Sequence, residues 1–92
     1  MPRGGERLRT AAGLLNSIGS RVLERRVSMG LTRDQLAARL TTETAGNPCG
    51  EWIASEDEIY KIQAGKRMVS ELEVKALARV LGCSILWLMG EE

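Results

Sequence analysis

The 92-residue chain has no histidine and no phenylalanine, and its only aromatic residues are two tryptophans and one tyrosine. Histidine is the usual general base near neutral pH and the commonest metal ligand, so its absence removes much of catalytic and metal chemistry at once. The two cysteines, Cys49 and Cys83, lie far apart and lack the short ligand spacing of a zinc site. No metal is expected, and the thiols are expected to be reduced in a cytoplasmic protein. No nucleophile stands beside a base and no phosphate-binding loop is present, so neither enzymatic activity nor a cofactor is expected. With so few aromatics, the core must be built from Leu, Ile, Val, Ala and Met. No apolar run approaches the roughly 18 residues of a membrane-spanning helix. The opening residues Met1 to Glu6 lack the apolar stretch of a secretory leader. No segment alternates apolar and polar residues as a half-buried strand would.

Net charge is +1, which favours no partner, but the distribution is uneven. Residues 1–40 carry eight arginines against Glu6, Glu24 and Asp34. Residues 41–60 carry Glu43, Glu51, Glu56, Asp57 and Glu58 and no base. A basic end and an acidic middle suit either one face meeting phosphate or pairing of the two blocks within the fold.

The length allows one domain, placed at residues 6–92 behind a disordered 1–5. Leu8, Ala11, Leu15, Ile18, Val22 and Met29 recur at helical spacing. Asn16 and Ser17 are natural caps that divide this span into an N-terminal helix over 6–16 and a second helix over 17–29. Arg26 falls within the apolar arc of the second helix and needs a partner, because an unpaired buried charge costs about 3–5 kcal/mol. Gly30 ends that helix. Thr32 and Gln35 form a capping box ahead of Leu36, Ala37 and Leu40. Thr41 to Ala54 follows as an irregular insertion. Its first residues can extend the helix by a turn, Gly46 to Gly50 form a loop, and Trp52 and Ile53 are expected to return to the core. Ser70 and Glu73 open a helix with Leu72, Ala76, Leu77, Val80 and Leu81 inward, and Ser84 caps a short helix that ends at Gly90.

The remaining stretch, Ser55 to Arg67, organises the rest. Ser55 and Glu58 form a capping box, and Glu56, Asp57 and Glu58 fill a first turn where the helix dipole favours acids. Ile59 and Ile62 share an inward face, Gly65 stops the helix, and Lys66 and Arg67 follow as an exposed basic pair.

Three runs, Met29 to Ala37, Ser55 to Arg67 and Leu77 to Gly90, resemble the lambda-repressor-like (XRE) helix-turn-helix family in order and core spacing. The match covers residues 18–92 apart from the insertion. The resemblance implies an all-α, compact bundle of five or six helices. Its helix-turn-helix would carry an extended turn over 41–54, where such motifs ordinarily use about three or four residues. It further implies that Gln63 replaces the family's usual glutamate as partner of Arg26. The helix over 55–65 would be the recognition helix, entering the major groove N-terminus first. Arg33, Ser55, Lys66 and Arg67 would then hold phosphate, while Glu56, Asp57, Glu58, Tyr60 and Lys61 would face base edges. Ile85, Trp87 and Leu88 would form a dimer contact. The expected function is a repressor-like, sequence-specific transcriptional regulator that binds double-stranded DNA as a homodimer on a two-fold operator. The alternative is a toxin-neutralising or adaptor module whose acidic helix face binds a protein partner.

Overall fold

The structure, a computed structural model, describes residues 8–92. It contains α1 (Gly19–Ser28), α2 (Arg33–Thr44), α3 (Glu56–Gln63), α4 (Glu71–Leu81) and α5 (Ile85–Leu88), and no strand among the described residues. The expected all-α class is therefore correct.

Local chemistry sets the helix boundaries. At α2 the Gln35 amide donates to Thr32 Oγ1 at 3.1 Å, and the Thr32 amide donates to Gln35 Oε1 at 2.8 Å. Ser55 and Glu58 exchange the same pair of bonds at α3, as do Ser70 and Glu73 at α4. Such a cap contributes about 1 kcal/mol. At the other end of α3, Gly65 takes φ +72°. This lets the Lys66 amide reach back to the Lys61 carbonyl at 2.8 Å, closing the helix by a left-handed turn.

The core is aliphatic, as the composition requires. Val22, Leu36, Leu40, Ile59, Ile62, Leu77, Leu81 and Leu88 have no accessible surface. Each such side chain gains roughly 1.5–3 kcal/mol from burial. Helix α3 packs against α1 and α2, and α4 packs against α2, α1 and α5. Arg26 finds the partner its position demands. Its Nε donates to Gln63 Oε1 at 2.7 Å, and its Nη1 donates to the Leu31 carbonyl at 2.7 Å. Arg25 donates to the Leu81 carbonyl at 2.7 Å and Arg21 to the Trp87 carbonyl at 3.3 Å, which places α1 cations at the negative ends of α4 and α5.

The N-terminal segment departs from expectation. Residues 1–5 and the first part of the helix expected over 6–16 lie outside the described residues, and residues 8–16 form no helix. Thr10 competes for the backbone instead: its Oγ1 accepts from the Leu14 amide at 3.0 Å and its carbonyl accepts from the Gly13 amide at 2.8 Å. The segment then runs across the C-terminal end of α3, where the Leu15 amide donates to the Gly65 carbonyl at 2.8 Å. Asn16 Nδ2 donates to the carbonyls of Ile62 (3.1 Å) and Arg67 (2.9 Å), while its Oδ1 accepts from the amides of Ile18 and Gly19. Asn16 thus clamps the end of α3 to the start of α1.

In the insertion, α2 gains one turn through Thr44, and a loop follows. Trp52 does return to the core, where its amide donates to Thr44 Oγ1 at 2.8 Å. Ile53 does not, being 84% exposed, because the extended backbone turns alternate side chains outward. Leu72, expected inward, is 45% exposed on the first turn of α4.

Candidate nucleic-acid interface

Helix α3 has a fixed side and a free side. Ile59 and Ile62 are fully buried, whereas Glu56, Asp57, Tyr60 and Lys61 on the opposite face are exposed. The fixed side is held by a close approach. A Cβ on Gly19 would lie 2.7 Å from the Gln63 carbonyl oxygen, so the backbones of α1 and α3 meet where only glycine fits. With the Asn16 clamp and the Arg26–Gln63 bond, this leaves α3 little freedom to roll.

Tyr60 sits at the centre of the free face. The Arg33 guanidinium, from the first position of α2, lies 5.4 Å from the ring centroid, and the Lys66 ammonium, just past α3, lies 5.6 Å from it. One aromatic ring thus gathers cations from both ends of the helix pair, each contact contributing about 0.5–1 kcal/mol at an exposed site. Lys66 has no acidic partner among the described residues.

The three first-turn acids are all engaged. Asp57 pairs with Lys61 one turn on at 3.0 Å. Glu56 lies 3.8 Å from Arg33, a loose contact between half-exposed groups that contributes little. Glu58 closes the Ser55 box with one oxygen and accepts from Arg67 with the other at 3.1 Å. Ser55 itself is used by the box. The N–H groups of Glu56 and Asp57 belong to the first turn, where no intrahelical acceptor exists.

Arg67 corrects the expectation of an exposed basic pair. Its side chain is only 24% exposed and is held by Glu73 in a two-bond fork of 2.9 and 2.8 Å, by Glu58, and by the Met68 carbonyl at 3.0 Å. Its guanidinium also lies 5.6 Å from the Trp52 ring centroid. Hydrogen bonding to the Glu73 carboxylate raises the Arg67 pKa against the opposing effect of burial. Burial alone would raise the Glu73 carboxyl, but bonds from Arg67 and the Ser70 amide outweigh it and hold that carboxyl below its ordinary value. Arg67 is thus a strut joining the caps of α3 and α4 to the anchor of the insertion. The sequence offers a signal for it, since two capping glutamates flank one arginine, but it says nothing of which way that arginine turns.

The residues expected to pair subunits also divide. Leu88 is fully buried within the chain's own core and Trp87 is half-buried beneath Arg21, 5.2 Å from the ring centroid. Ile85 stays exposed, and Leu86 and Met89, which the sequence does not single out, are exposed beside it. On so short a helix every residue reads as apolar, and only the packing shows which one enters the core.

Among the described residues no helix is long and apolar enough to cross a membrane, and no cluster of three or more His, Cys, Asp or Glu is placed to hold a metal. Comparison of the chain with protein-family models and with curated protein sequences finds no match.

Proposed function

We propose that the chain is a sequence-specific, DNA-binding transcriptional regulator of the lambda-repressor-like kind. It presents the N-terminal end and free face of α3 to the major groove, as a homodimer on a two-fold operator. The observation that carries this reading is the free face itself: a capped helix, immobilised on its buried side, with Tyr60 exposed between Arg33 and Lys66. The two cations suit phosphate on either side of a groove, and the open amides of the first turn suit a third phosphate. Glu56, Asp57, Tyr60 and Lys61 then face base edges, with carboxylates able to accept from the cytosine amino group. Arg67 and Glu58 have no part in contact; they hold the cap. The resemblance of the three sequence runs to helix-turn-helix domains supports the same reading. A protein partner drawn to the acidic turn has less support, since each of its three acids already faces a cation of this chain.

Selection from a pool of random duplexes at low salt tests the proposal. The expected product is a two-fold symmetric site. Removing one cation from a phosphate should reduce the salt slope by about 0.9, so a dimer without both Arg33 and Lys66 should bind with a slope shallower by about three to four units. A pool that never enriches for any sequence would sink the DNA reading.

A further inference from the structure

We infer that the cleft between the insertion and α4 is a binding site for a small aromatic carboxylate. This cavity of about 270 Å³ is walled on one side by Gly50 and Trp52 of the insertion and on the other by Leu72, Lys75, Ala76 and Arg79 of α4. Four observations define the occupant. The volume suits a molecule of about ten non-hydrogen atoms, below the size of ordinary drug-like ligands. Trp52 and the exposed Leu72 supply apolar wall, and a flat ring packs well against an indole. Leu72 stands at a position whose helical spacing marks it as inward, and it lines this cavity instead of the core. Lys75 and Arg79, one turn apart on the rim, have no acidic partner among the described residues, whereas Glu73 on the same wall is already taken by Arg67. Glu51 of the insertion also lines the cleft; it accepts from the Gly46 amide and has no cation partner among the described residues, so the unpaired lining charges are two cations against one carboxylate, a net positive balance that suits an anionic end.

The fourth observation is the indole N–H of Trp52, which is buried and has no acceptor among the described residues. Nearly all buried donors are satisfied, so this indole is unusual among the described residues, and it belongs to a residue that lines the cleft. Trp52 is also the residue over which Arg67 lies, so an occupant stands one contact away from the strut that holds the start of α3. The site stands whether or not α3 reads DNA.

The chain's two tryptophans provide the measurement and its control. In a nitrogen-15 correlation spectrum of the full chain, each indole N–H gives one cross-peak. Sodium benzoate titrated at constant ionic strength should move the Trp52 peak saturably and leave the Trp87 peak in place. Half-saturation near 1 mM is what about nine non-hydrogen atoms can supply. Benzamide, which keeps the ring and loses the charge, should bind at least about tenfold more weakly. The double variant Lys75→Met, Arg79→Met changes only exposed side chains and should abolish the difference between the two compounds. A Trp52 peak that does not saturate, moves equally with benzamide, or moves no more than the Trp87 peak overturns the inference.

Discussion

Replacing Arg67 by alanine separates a strut from a phosphate contact. The guanidinium makes three bonds to carboxylates and one to a carbonyl, all between 2.8 and 3.1 Å. An exposed ion pair contributes about 0.2–1 kcal/mol, and breaking a fully buried one costs about 3–5 kcal/mol. Arg67, Glu73 and Glu58 are 24%, 18% and 30% exposed at the side chain, which places the network between these limits. A destabilisation of about 2–3 kcal/mol is expected. Part of it reflects two carboxylates left together without their cation, and part the missing packing on Trp52. That is a large share of the total stability of a domain this size.

Urea denaturation measures the effect directly. With a slope of about 1 kcal/mol per molar, the midpoint should fall by about 2–3 M. Arg67→Lys should recover less than half of this, since an ammonium cannot span both carboxylates in a fork. Glu73→Gln in the Arg67→Ala background should cost much less than it does alone, because the partner is already gone. The refuting result is a midpoint shift below about 0.5 M combined with a weaker salt dependence of DNA binding. Arg67 would then swing out to phosphate, and the strut would be an incidental contact.

Gly19→Ala should destabilise by about 2 kcal/mol or more, although alanine is ordinarily the better helix residue by about 0.5–1 kcal/mol, because its methyl group meets backbone carbonyls of α3. The melting temperature should drop by about 8 °C or more, and an unchanged or higher value would disprove the close approach. Because the Glu73 pKa is lowered in the folded state, its contribution is complete above the unfolded carboxylate value and disappears as pH falls through the folded one. Stability should therefore fall below about pH 4, with a shallower fall in Glu73→Gln. If the chain pairs through α5 as the resemblance implies, the parent chain should sediment as a dimer and Leu86→Glu, on the exposed side of that helix, as a folded monomer, whereas Leu88→Ala should cost about 2–5 kcal/mol. A folded Leu86→Glu dimer would place the subunit contact elsewhere.

The elements that proved legible are those governed by near neighbours in sequence. A capping box spans four residues and a glycine stop spans two or three, so Thr32, Ser55 and Ser70 at one end and Gly30 and Gly65 at the other could be placed from the sequence. That Arg26 needs a partner was legible for a different reason, since an apolar arc that contains a charge must supply one; Gln63 as that partner was suggested by the family resemblance alone, and the structure supplies the bond. What failed depends on contacts distant in sequence. Leu8, Ala11 and Leu15 have helical spacing, yet Leu15 and Asn16 bond across to the end of α3, a competitor that periodicity does not see. Ile53 and Trp52 are both apolar neighbours in an extended stretch, and only one of two adjacent side chains can face inward there. Arg67 looked free because its partners are the capping glutamates of two different helices, each already explained locally.

The capture of Arg67 changes the charge balance on the exposed face of α3. On the proposed DNA reading, three acids at the start of α3 look like an obstacle to phosphate, and the sequence offers helix capping, readout of cytosine or a basic protein partner to account for them. The structure gives each acid a cation. Glu58 takes Arg67 and Asp57 takes Lys61, while Glu56 holds Arg33 only at 3.8 Å. These pairs differ in how readily they release. The Arg67 pair is sheltered and forked, so Glu58 brings no free charge to the surface. The Arg33 pair is long and exposed, so Arg33 can leave it for a phosphate at a cost below about 1 kcal/mol. Lys66 need break no ion pair at all. The face therefore presents its cations on the outside of the helix pair and keeps its strongest carboxylate contact within the fold. If the chain binds DNA as proposed, non-specific attraction should be weak, with roughly two side-chain phosphate contacts per chain, and discrimination must come from the groups between them. Asp57 and Lys61 are the pair positioned to provide it, since on meeting a base edge each can exchange its partner for an amino group or a ring acceptor.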